Sequence, residues 1–310
     1  MDKATAIRSP QPTWLPYLAM GIGTLALGLS GILVRSANAP GTVNSFYRTA
    51  VAAVLLAVPF YRRLRARGTL PRRGLLAAVF GGLFLAIDLA LWTTGVVLSG
   101  ATNPTLLANT APLWVGLGAL IFFREKLNRT FWAGLLLAMA GAAVILGLDS
   151  LRAASFGLGT LLGLLAAVFY GSYFLVTQRG RESLDALTYF WPAAASSTVA
   201  LFALNLALRQ PLTGYATSTY LNFLAQGLIT QVLGYLAMNY ALGYLPASVV
   251  APTMLGQPVV TAILAGPLLG EVLSLWQVLG GATVLTGVYM VHRSRQGKGT
   301  PSRQNVRPEA

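Results

Sequence analysis

The residue of this sequence best placed to do chemistry is Asp88, a carboxylate in the middle of the apolar run from Gly74 to Ser99. A charged group at the centre of a bilayer costs at least about 2.5–3.5 kcal/mol, so Asp88 is expected to face a cavity or a partner rather than lipid. There it could exchange a proton or bind an amine. The alternative is a structural aspartate that is protonated or hydrogen-bonded, and the sequence leaves both open.

Arg48 is a second charged residue inside an apolar run, near the start of the stretch from Val43 to Tyr61. Its guanidinium could bind the carboxylate of a ligand, or it could pair with Asp88. Alternatively, its long side chain snorkels to the membrane surface.

Aromatic and amide side chains lie within several other apolar runs. Polar groups in lipid require partners, so these side chains are expected to point inward, where some contact a ligand and others join helices. The set comprises Trp92, Asn109, Trp114, Tyr170, Tyr173, Gln231, Tyr235, Asn239 and Gln257.

Two prolines, Pro112 and Pro258, lie inside apolar runs. Proline removes a backbone donor and clashes with the preceding turn, so each is expected to bend its helix. The freed carbonyl groups could line a cavity, and bends at matching places could act as hinges. A simple packing kink is the alternative.

Composition requires a membrane environment for these residues. Of the 310 residues, 55% are hydrophobic and 10% are charged, and the mean hydropathy is +0.65. A soluble domain typically carries about 25% charged residues. The net charge of +14 does not indicate a nucleic-acid partner, because the basic residues cluster in one short loop, 62–73, and in the tails.

The apolar runs predict an all-α integral membrane protein with ten transmembrane helices. Each run has about 18–25 residues, enough to cross a hydrocarbon core of roughly 30 Å. The first is interpreted as an uncleaved helix rather than a signal peptide, because its apolar run is long and Arg35 precedes the cleavage-like site. The predicted spans are Trp14 to Val34, Val43 to Tyr61, Gly74 to Ser99, Thr102 to Phe123, Phe131 to Leu148, Phe156 to Gln178, Leu187 to Leu208, Thr219 to Leu242, Ala247 to Leu269 and Leu275 to Val291.

Residues 101–141 and 247–287 form an internal repeat with a constant offset of 146 positions (271 minus 125). The informative matches are Pro112 with Pro258, Glu125 with Glu271, Gly134 with Gly280 and Gly141 with Gly287. Two halves of five spans each, 14–148 and 156–293, must insert in opposite orientations if they share a fold, because five is an odd number. The sequence therefore predicts two inverted five-helix repeats, a mark of secondary transporters.

Basic residues orient the predicted spans. Arginine and lysine concentrate in the loops after spans two, four and six and in the C-terminal tail, which the positive-inside rule assigns to the cytoplasm. We predict a multi-pass protein of a bacterial-type cytoplasmic membrane with both termini cytoplasmic. Residues 1–13 are then an N-terminal tail, and residues 294–310 are a disordered C-terminal tail.

The sequence contains no pattern for catalysis or for a cofactor. It has no cysteine and a single histidine, His292, which excludes thiolate and multi-histidine metal sites. No G-x-x-x-x-G-K-[ST] loop is present, so ATP-driven pumping by this chain alone is not expected. Glu125 and Glu271 are expected at turns on opposite sides of the membrane, where they brace helix ends rather than form a catalytic pair. We predict no catalytic residues, no metal and no cofactor.

The repeated segments carry a resemblance to a known family. PLWVGLGALIFFREKLNRTFWAGLLLAMAGAAVIL and PVVTAILAGPLLGEVLSLWQVLGGATVLTGVYMV share a proline, a glutamate and two spaced glycines. Together with NSFYRTAVAAVLL, they resemble the EamA family of the drug/metabolite transporter superfamily, over residues 14–293. In the second half Phe190-Trp191-Pro192 replaces Phe46-Tyr47-Arg48, which departs from the match. The resemblance implies a ten-helix carrier of a small metabolite or drug-like compound, with export more common than import.

We therefore expect a secondary transporter that moves a small metabolite, such as an amino acid, or a drug-like compound by alternating access, with the substrate near the midplane between the halves. Its partners are this substrate and the bilayer, and nucleic acid is not expected. Proton coupling stays open, as does a homodimer through small-residue pairs such as Gly159 and Gly163. A channel or lipid-translocating protein is the alternative: a carrier saturates and shows counterflow, whereas a pore does not.

Overall fold

The computed structural model describes residues 14–99, 102–147, 157–269 and 273–296. Within these ranges every regular element is helical, which confirms the all-α prediction. A π-helix, Gln226–Tyr235, joins α10 to α11, and a 3₁₀ turn, Met254–Gly256, joins α12 to α13. The α-helices are α1 Leu15–Gly28, α2 Ser30–Arg35, α3 Gly41–Arg67, α4 Arg72–Ser99, α5 Thr102–Ala108, α6 Ala111–Phe122, α7 Arg129–Leu146, α8 Leu158–Gly180, α9 Ala186–Ala207, α10 Thr217–Ala225, α11 Leu236–Leu242, α12 Ala247–Thr253, α13 Gln257–Leu269 and α14 Leu275–Gln296.

Nine helical segments of the described chain are long and apolar enough to cross a membrane, rather than the ten predicted. The predicted tenth span is the continuous helix α14, which has the required length. It is less apolar than the others because it carries polar residues such as Gln277, Thr283 and Thr286. Helix α14 also continues to Gln296, into the segment predicted to be disordered. Residues 1–13 and 297–310 lie outside the described residues.

The arginine-rich segment predicted as a loop is largely helical. Helix α3 continues to Arg67 and α4 begins at Arg72, so only 68–71 connect them. Arginine is a good helix former, and cationic side chains in the last turn stabilise the negative end of the helix dipole. Gly68, with φ of 82°, then ends α3.

Helices α7 and α14, which are equivalent in the repeat, pack against each other through glycines. A Cβ placed on Gly141 would lie 2.7 Å from the carbonyl oxygen of Gly280, and one on Gly280 would lie 2.8 Å from that of Gly141. The same reciprocal contact joins Gly134 and Gly287, at 2.8 and 2.5 Å. Adding 146 to Gly134 and Gly141 gives Gly280 and Gly287, so the repeat exchanges the Gly141–Gly280 contact with the Gly134–Gly287 contact. The two helices are therefore related by a two-fold axis. The predicted inverted repeat is thereby confirmed.

This close approach makes a prediction for Gly280. In Gly280→Ala the added methyl group would meet the carbonyl oxygen of Gly141 at 2.8 Å and the backbone nitrogen of Ile145 at 3.1 Å. Because both atoms belong to the backbone of α7, the helices must separate, and overpacking of this kind costs about 1–3 kcal/mol. We expect a lower melting temperature for the variant, measured by thermal denaturation in detergent.

Gly281 provides the matched control, because it is the next residue of the same helix. The nearest atom to a Cβ on Gly281 is Cγ1 of Val259 at 3.6 Å, an ordinary contact. Gly281→Ala should therefore leave the melting temperature unchanged or raise it slightly. Equal melting temperatures for the two alanine variants would contradict the close contact between α7 and α14.

Consecutive spans run in alternating directions, so the bundle has two ends. We call the end with the α2–α3 connection the Arg35 end, and the end with the α6–α7 connection the Glu125 end. Both described chain ends lie at the Glu125 end, where the rings of Tyr17 and His292 are 6.0 Å apart.

Glu125 joins three elements at the Glu125 end. Its Oε2 accepts a hydrogen bond from Oγ of Ser248 at 2.6 Å and forms an ion pair with Arg295 at 2.7 Å. The contacts connect the α6–α7 loop to α12 and α14. Glu125 therefore braces helix ends, whereas Glu271, its partner in the repeat, lies outside the described residues.

Asp185 joins α9 to α3 at the same end. Its carboxylate accepts hydrogen bonds from the backbone amides of Leu187 and Thr188, both at 3.1 Å. It also forms ion pairs with Arg63 at 3.2 Å and Arg67 at 2.6 Å. Burial raises the pKa of Asp185, but the amide of Thr188 and the two arginines outweigh this effect and hold the pKa below its usual range.

Candidate functional site

A cavity of about 570 Å³ lies between the two repeats and reaches the Arg35 end. Its outer rim includes Arg35 and Ser36, which are exposed. Its inner wall includes Asp88, Tyr235 and Met254, which are buried. The volume lies within the range of about 300–1,000 Å³ typical of small-molecule sites.

Most of the residues predicted for the site line this cavity, although they come from both halves of the chain. Four others do not line it and pack behind its wall: Trp114, Tyr173, Gln231 and Asn239. The lining residues from the predicted set are Arg48, Asp88, Trp92, Asn109, Tyr170, Tyr235 and Gln257, with Pro112 and Pro258.

Arg48 is held in place from two sides. Its side chain is only 1% exposed, so it does not snorkel to the membrane surface. Nη1 donates to Oγ of Ser30 and Nη2 donates to Oε1 of Gln231, both at 3.1 Å. Nε has no hydrogen-bond partner within the described part of the chain. The guanidinium is therefore oriented by neutral groups at the cavity wall, and no described carboxylate pairs with its positive charge.

Asp88 is 6% exposed and its carboxylate makes no hydrogen bond or ion pair with any described residue. In particular, the predicted alternative of an Arg48–Asp88 pair within 4.0 Å is not formed. The two groups line one cavity with opposite charges but without direct contact. A buried carboxylate without a partner is costly, so this arrangement favours a cationic group or a proton at Asp88.

The inner wall of the cavity is aromatic. The rings of Phe190 and Tyr235 stack with centroids 6.3 Å apart, and those of Tyr170 and Phe174 meet edge to face at 4.8 Å. Asn239 does not reach the cavity, but it donates from Nδ2 to the hydroxyl oxygen of Tyr173 at 2.7 Å. Such packing fixes the ring positions and presents π-faces to a ligand.

Trp92 and Trp114 differ in their roles. The indole nitrogen of Trp92 donates to Oγ1 of Thr105 at 3.2 Å, which joins α4 to α5 at the cavity. Trp114 instead packs toward α8, where a Cβ on Gly171 would lie 3.0 Å from the Cβ of Trp114. Its position supports the wall from behind.

Both helices with the repeated proline are interrupted beside the cavity. Helix α5 ends at Ala108 and α6 begins at Ala111, so Pro112 is the second residue of a new helix. Pro258 is likewise the second residue of α13, after the 3₁₀ turn. Proline is tolerated at a helix start, where its missing amide would be unpaired in any case. The breaks therefore precede the prolines rather than occur at them.

The first break brings an amide side chain to the cavity wall. Asn109 lies between α5 and α6 and lines the cavity. Its buried Nδ2 has no hydrogen-bond partner among the described residues. The amide nitrogen therefore lies buried beside the cavity rather than open to it.

Sequence patterns did not indicate three features of the site. The π-helix aims Gln231 at Arg48, and its widened turn leaves no periodic trace in the sequence. Ser30, which holds Arg48, follows a break between α1 and α2. Phe174 lines the cavity but resembles any apolar residue in its helix. Only the polar character of Ser30 within an apolar span could have drawn attention to it.

Fold and site together define a multi-pass membrane protein with a substrate-sized polar and aromatic cavity between two inverted repeats. This is the architecture of a transporter. The sequence pattern of the EamA-like transporter family matches residues 14–147 and 157–293, and the chain belongs to this family.

Individual relatives are also named as exporters or transporters. The chain is 28% identical to a probable terminal-alkyne amino-acid exporter of Streptantibioticus cattleyicolor, over 94% of this chain and 95% of the relative. It is 23% identical to the pseudopaline exporter of Pseudomonas aeruginosa, over 89% and 95%, and 29% identical to a riboflavin transporter of Rhizobium johnstonii, over 61% of each. A crystal structure that is 19% identical matches the fold with a TM-score of 0.74, over 91% of this chain and 98% of that one. The family implies a small-molecule substrate and a bilayer as partners, and a transport role rather than an enzymatic one.

Proposed function

We propose that this protein is a secondary transporter that exports a small amphipathic metabolite of the amino-acid type by alternating access. The observation that carries the proposal is the pair of buried, oppositely charged groups, Arg48 and Asp88, in one cavity without an ion pair between them. A zwitterion supplies the missing partner to each. Its carboxylate would bind Arg48, and its ammonium group would bind Asp88.

The rest of the cavity supports a substrate with an apolar or aromatic side chain. Tyr170, Phe174 and Tyr235 form a wall that can pack against such a group, and aromatic faces also attract cations. One relative is named as a probable terminal-alkyne amino-acid exporter, and an amino acid has this chemistry. We extend that substrate class to this chain as part of the proposal.

The distribution of charge supports an orientation of the protein in the membrane. The basic clusters around Arg63, Arg129 and Arg293 belong to the Glu125 end, which the positive-inside rule places in the cytoplasm. The cavity then opens to the outside, as after release of an exported substrate. The relatives named as exporters fit this direction.

Inverted repeats provide a route to the opposite state. If each repeat adopted the conformation that the other repeat has now, the Arg35 end would close and the Glu125 end would open. Asp88 has no charged equivalent in the second half, where Gly234 occupies the matching position (88 plus 146). A proton could therefore replace the substrate amine at this one carboxylate, which would couple export to proton entry.

Counterflow in proteoliposomes tests the proposal, with L-phenylalanine as the probe because the cavity wall is aromatic. Vesicles loaded with unlabelled phenylalanine should accumulate labelled phenylalanine, and the uptake should saturate. Phenethylamine lacks the carboxylate and 3-phenylpropionate lacks the amine, so both should compete poorly.

Three other outcomes would contradict parts of the proposal. Uptake that neither saturates nor shows counterflow would indicate a channel. Movement of labelled phospholipid between leaflets, without phenylalanine counterflow, would indicate lipid translocation. Equal competition by all three compounds would contradict recognition of a zwitterion.

A further inference from the structure

We propose that Thr261 is a positioning residue of the substrate site, which holds a break in the first span so that Ser30 can orient Arg48. This inference deepens the proposed function and rests on the carboxylate site assigned there to Arg48. It starts from a hydroxyl group on the cavity wall that the binding of a zwitterion does not use.

The first span is broken beside the cavity. Helix α1 ends at Gly28 and α2 begins at Ser30, so only Leu29 separates them. Gly28, Ser30 and Thr261 all line the cavity. The last carbonyl groups of a helix have no partner within it, and in a membrane they need one from another element.

Thr261 of α13 supplies a partner for the end of α1. Its Oγ1 donates to the carbonyl oxygen of Gly28 at 2.6 Å and to that of Gln257, one turn earlier in α13, at 3.0 Å. Threonine hydroxyls often bond to their own helix in this way, so the second contact is ordinary. The first contact is shorter, and it joins the second half of the chain to the break in the first.

Gly28 allows the close approach that this bond requires. A Cβ on Gly28 would lie 2.7 Å from Cγ1 of Val260 and 3.2 Å from the carbonyl oxygen of Gln257. A larger residue would therefore push α1 away from α13. The absence of a side chain at position 28 brings its carbonyl group within reach of Thr261.

The corresponding contact in the other half involves Gly171 of α8. A Cβ on Gly171 would lie 3.0 Å from the Cβ of Trp114, and one on Gly28 would lie 2.8 Å from the Cβ of Val260. Trp114 and Val260 are equivalent in the repeat (260 minus 114 is 146). Gly171 therefore packs on α6 as Gly28 packs on α13.

The other half has no hydroxyl at this contact and no break. Position 261 corresponds to Val115 (261 minus 146), which cannot donate a hydrogen bond. Helix α8 runs unbroken through Gly171, from Leu158 to Gly180. The break is thus present in the half where a hydroxyl holds the glycine carbonyl, and absent in the half where valine replaces it.

The break places Ser30 against Arg48. Ser30 is the first residue of α2, two positions after Gly28, and its Oγ accepts a hydrogen bond from Nη1 of Arg48 at 3.1 Å. When the bond from Thr261 is lost, α2 is held less firmly and Ser30 no longer keeps the guanidinium in its orientation. Thr261 therefore affects the substrate carboxylate through Ser30.

Thr261→Val tests this role, because valine keeps the branched shape of threonine and lacks the hydroxyl. Affinity for phenylalanine, measured by competition in the counterflow assay, should fall by about three- to tenfold, the effect of one hydrogen bond. Phenethylamine has no carboxylate and should compete equally well with the variant and the wild type. Thr261→Ser keeps the hydroxyl and should restore the affinity for phenylalanine.

Thr286→Val is the matched control. It removes a hydroxyl that donates to the carbonyl oxygen of Ala282 at 2.8 Å on an exposed face of α14, away from the cavity. Its affinities for phenylalanine and phenethylamine should equal those of the wild type. An equal loss of both affinities in Thr261→Val, or no loss of either, would overturn the positioning role.

A double variant tests whether Thr261 acts through Ser30. If it does, Ser30→Ala combined with Thr261→Val should bind phenylalanine no more weakly than Ser30→Ala alone, because the two changes remove one coupled interaction. Losses that multiply in the double variant would mean that Thr261 acts by another route, and the inference would fail.

Cysteine labelling separates this inference from the proposed function. The chain has no cysteine, and Gly31 of α2 lines the cavity with nothing within 4 Å of an added Cβ. In Gly31→Cys, the rate of reaction with a methanethiosulfonate reagent reports the position of α2. Adding Thr261→Val should change this rate by about threefold or more, and adding Thr261→Ser instead should leave it unchanged.

The two readouts give distinct results. If the wild type shows no phenylalanine counterflow but the labelling rate changes as expected, the proposed substrate is wrong and the hold of Thr261 on α2 stands. If Thr261→Val leaves the labelling rate unchanged, the positioning role is overturned, whatever the substrate.

Discussion

Asp88→Asn is expected to reduce phenylalanine counterflow by about a hundredfold. Removing one partner of a buried charge pair costs about 2–5 kcal/mol, and each 1.4 kcal/mol is a factor of ten. Asp88 is buried in the cavity, and among the described residues no other carboxylate lines it that could take over the ammonium of the substrate. Asparagine keeps the shape of the side chain, and the fold should therefore be retained.

The same variant tests proton coupling. In wild-type vesicles an imposed pH gradient should drive phenylalanine against its concentration gradient, and this effect should be absent in Asp88→Asn. Glu182→Gln is the control, since it removes a carboxylate that pairs with Arg179 at 3.1 Å outside the cavity and such exposed pairs contribute little. Wild-type counterflow and pH dependence in Asp88→Asn would show that Asp88 is structural.

Arg48→Gln is expected to remove discrimination for the substrate carboxylate. The guanidinium is fixed by Ser30 and Gln231 at the wall of the cavity, so it can attract a carboxylate with little rearrangement. A hydrogen bond to a charged group contributes about 1.5–3 kcal/mol, so affinity for phenylalanine should fall by about 10- to 100-fold. Phenethylamine, which has no carboxylate, should bind the variant and the wild type similarly.

Two further variants separate recognition from scaffolding. Arg48→Lys keeps the positive charge but loses the planar set of donors, so it should recover part of the affinity for phenylalanine. Ser30→Ala removes only one of the bonds that orient Arg48 and should have a smaller effect than Arg48→Gln. Competition assays at several concentrations give these affinities. An equal loss of phenylalanine and phenethylamine binding in Arg48→Gln would mean that Arg48 holds the helices rather than the substrate.

The sequence by itself determined the class of protein and the order of its spans. Apolar runs of bilayer length are a local property, because each helix satisfies its own backbone hydrogen bonds in lipid. The repeat has an odd number of spans in each half, which required the two halves to be inverted relative to each other. The reciprocal contacts of Gly141 and Gly280 follow from this inversion. The cost of a charge in lipid also required Asp88 to face inward.

The sequence predicted the ends of the helices and the apolarity of each span less accurately. The sequence predicted ten spans of similar character, but α14 is more polar and longer than expected. Arginines predicted to lie in a loop instead extend α3 to Arg67, because a helix can leave the membrane without ending. In such cases hydropathy marks the limits of the bilayer rather than the ends of the helix.

Only the tertiary structure decided how the polar residues are shared between site and scaffold. Arg48 and Asp88 line one cavity without pairing, whereas Gln231 orients Arg48 and Asn239 holds Tyr173. In lipid, helix association depends on close packing and interhelical hydrogen bonds rather than on apolarity, since the lipid is equally apolar. The face that each helix turns to its neighbours, and a local change such as the π-helix, therefore depend on shape across the whole bundle, which hydrophobic patterning does not record.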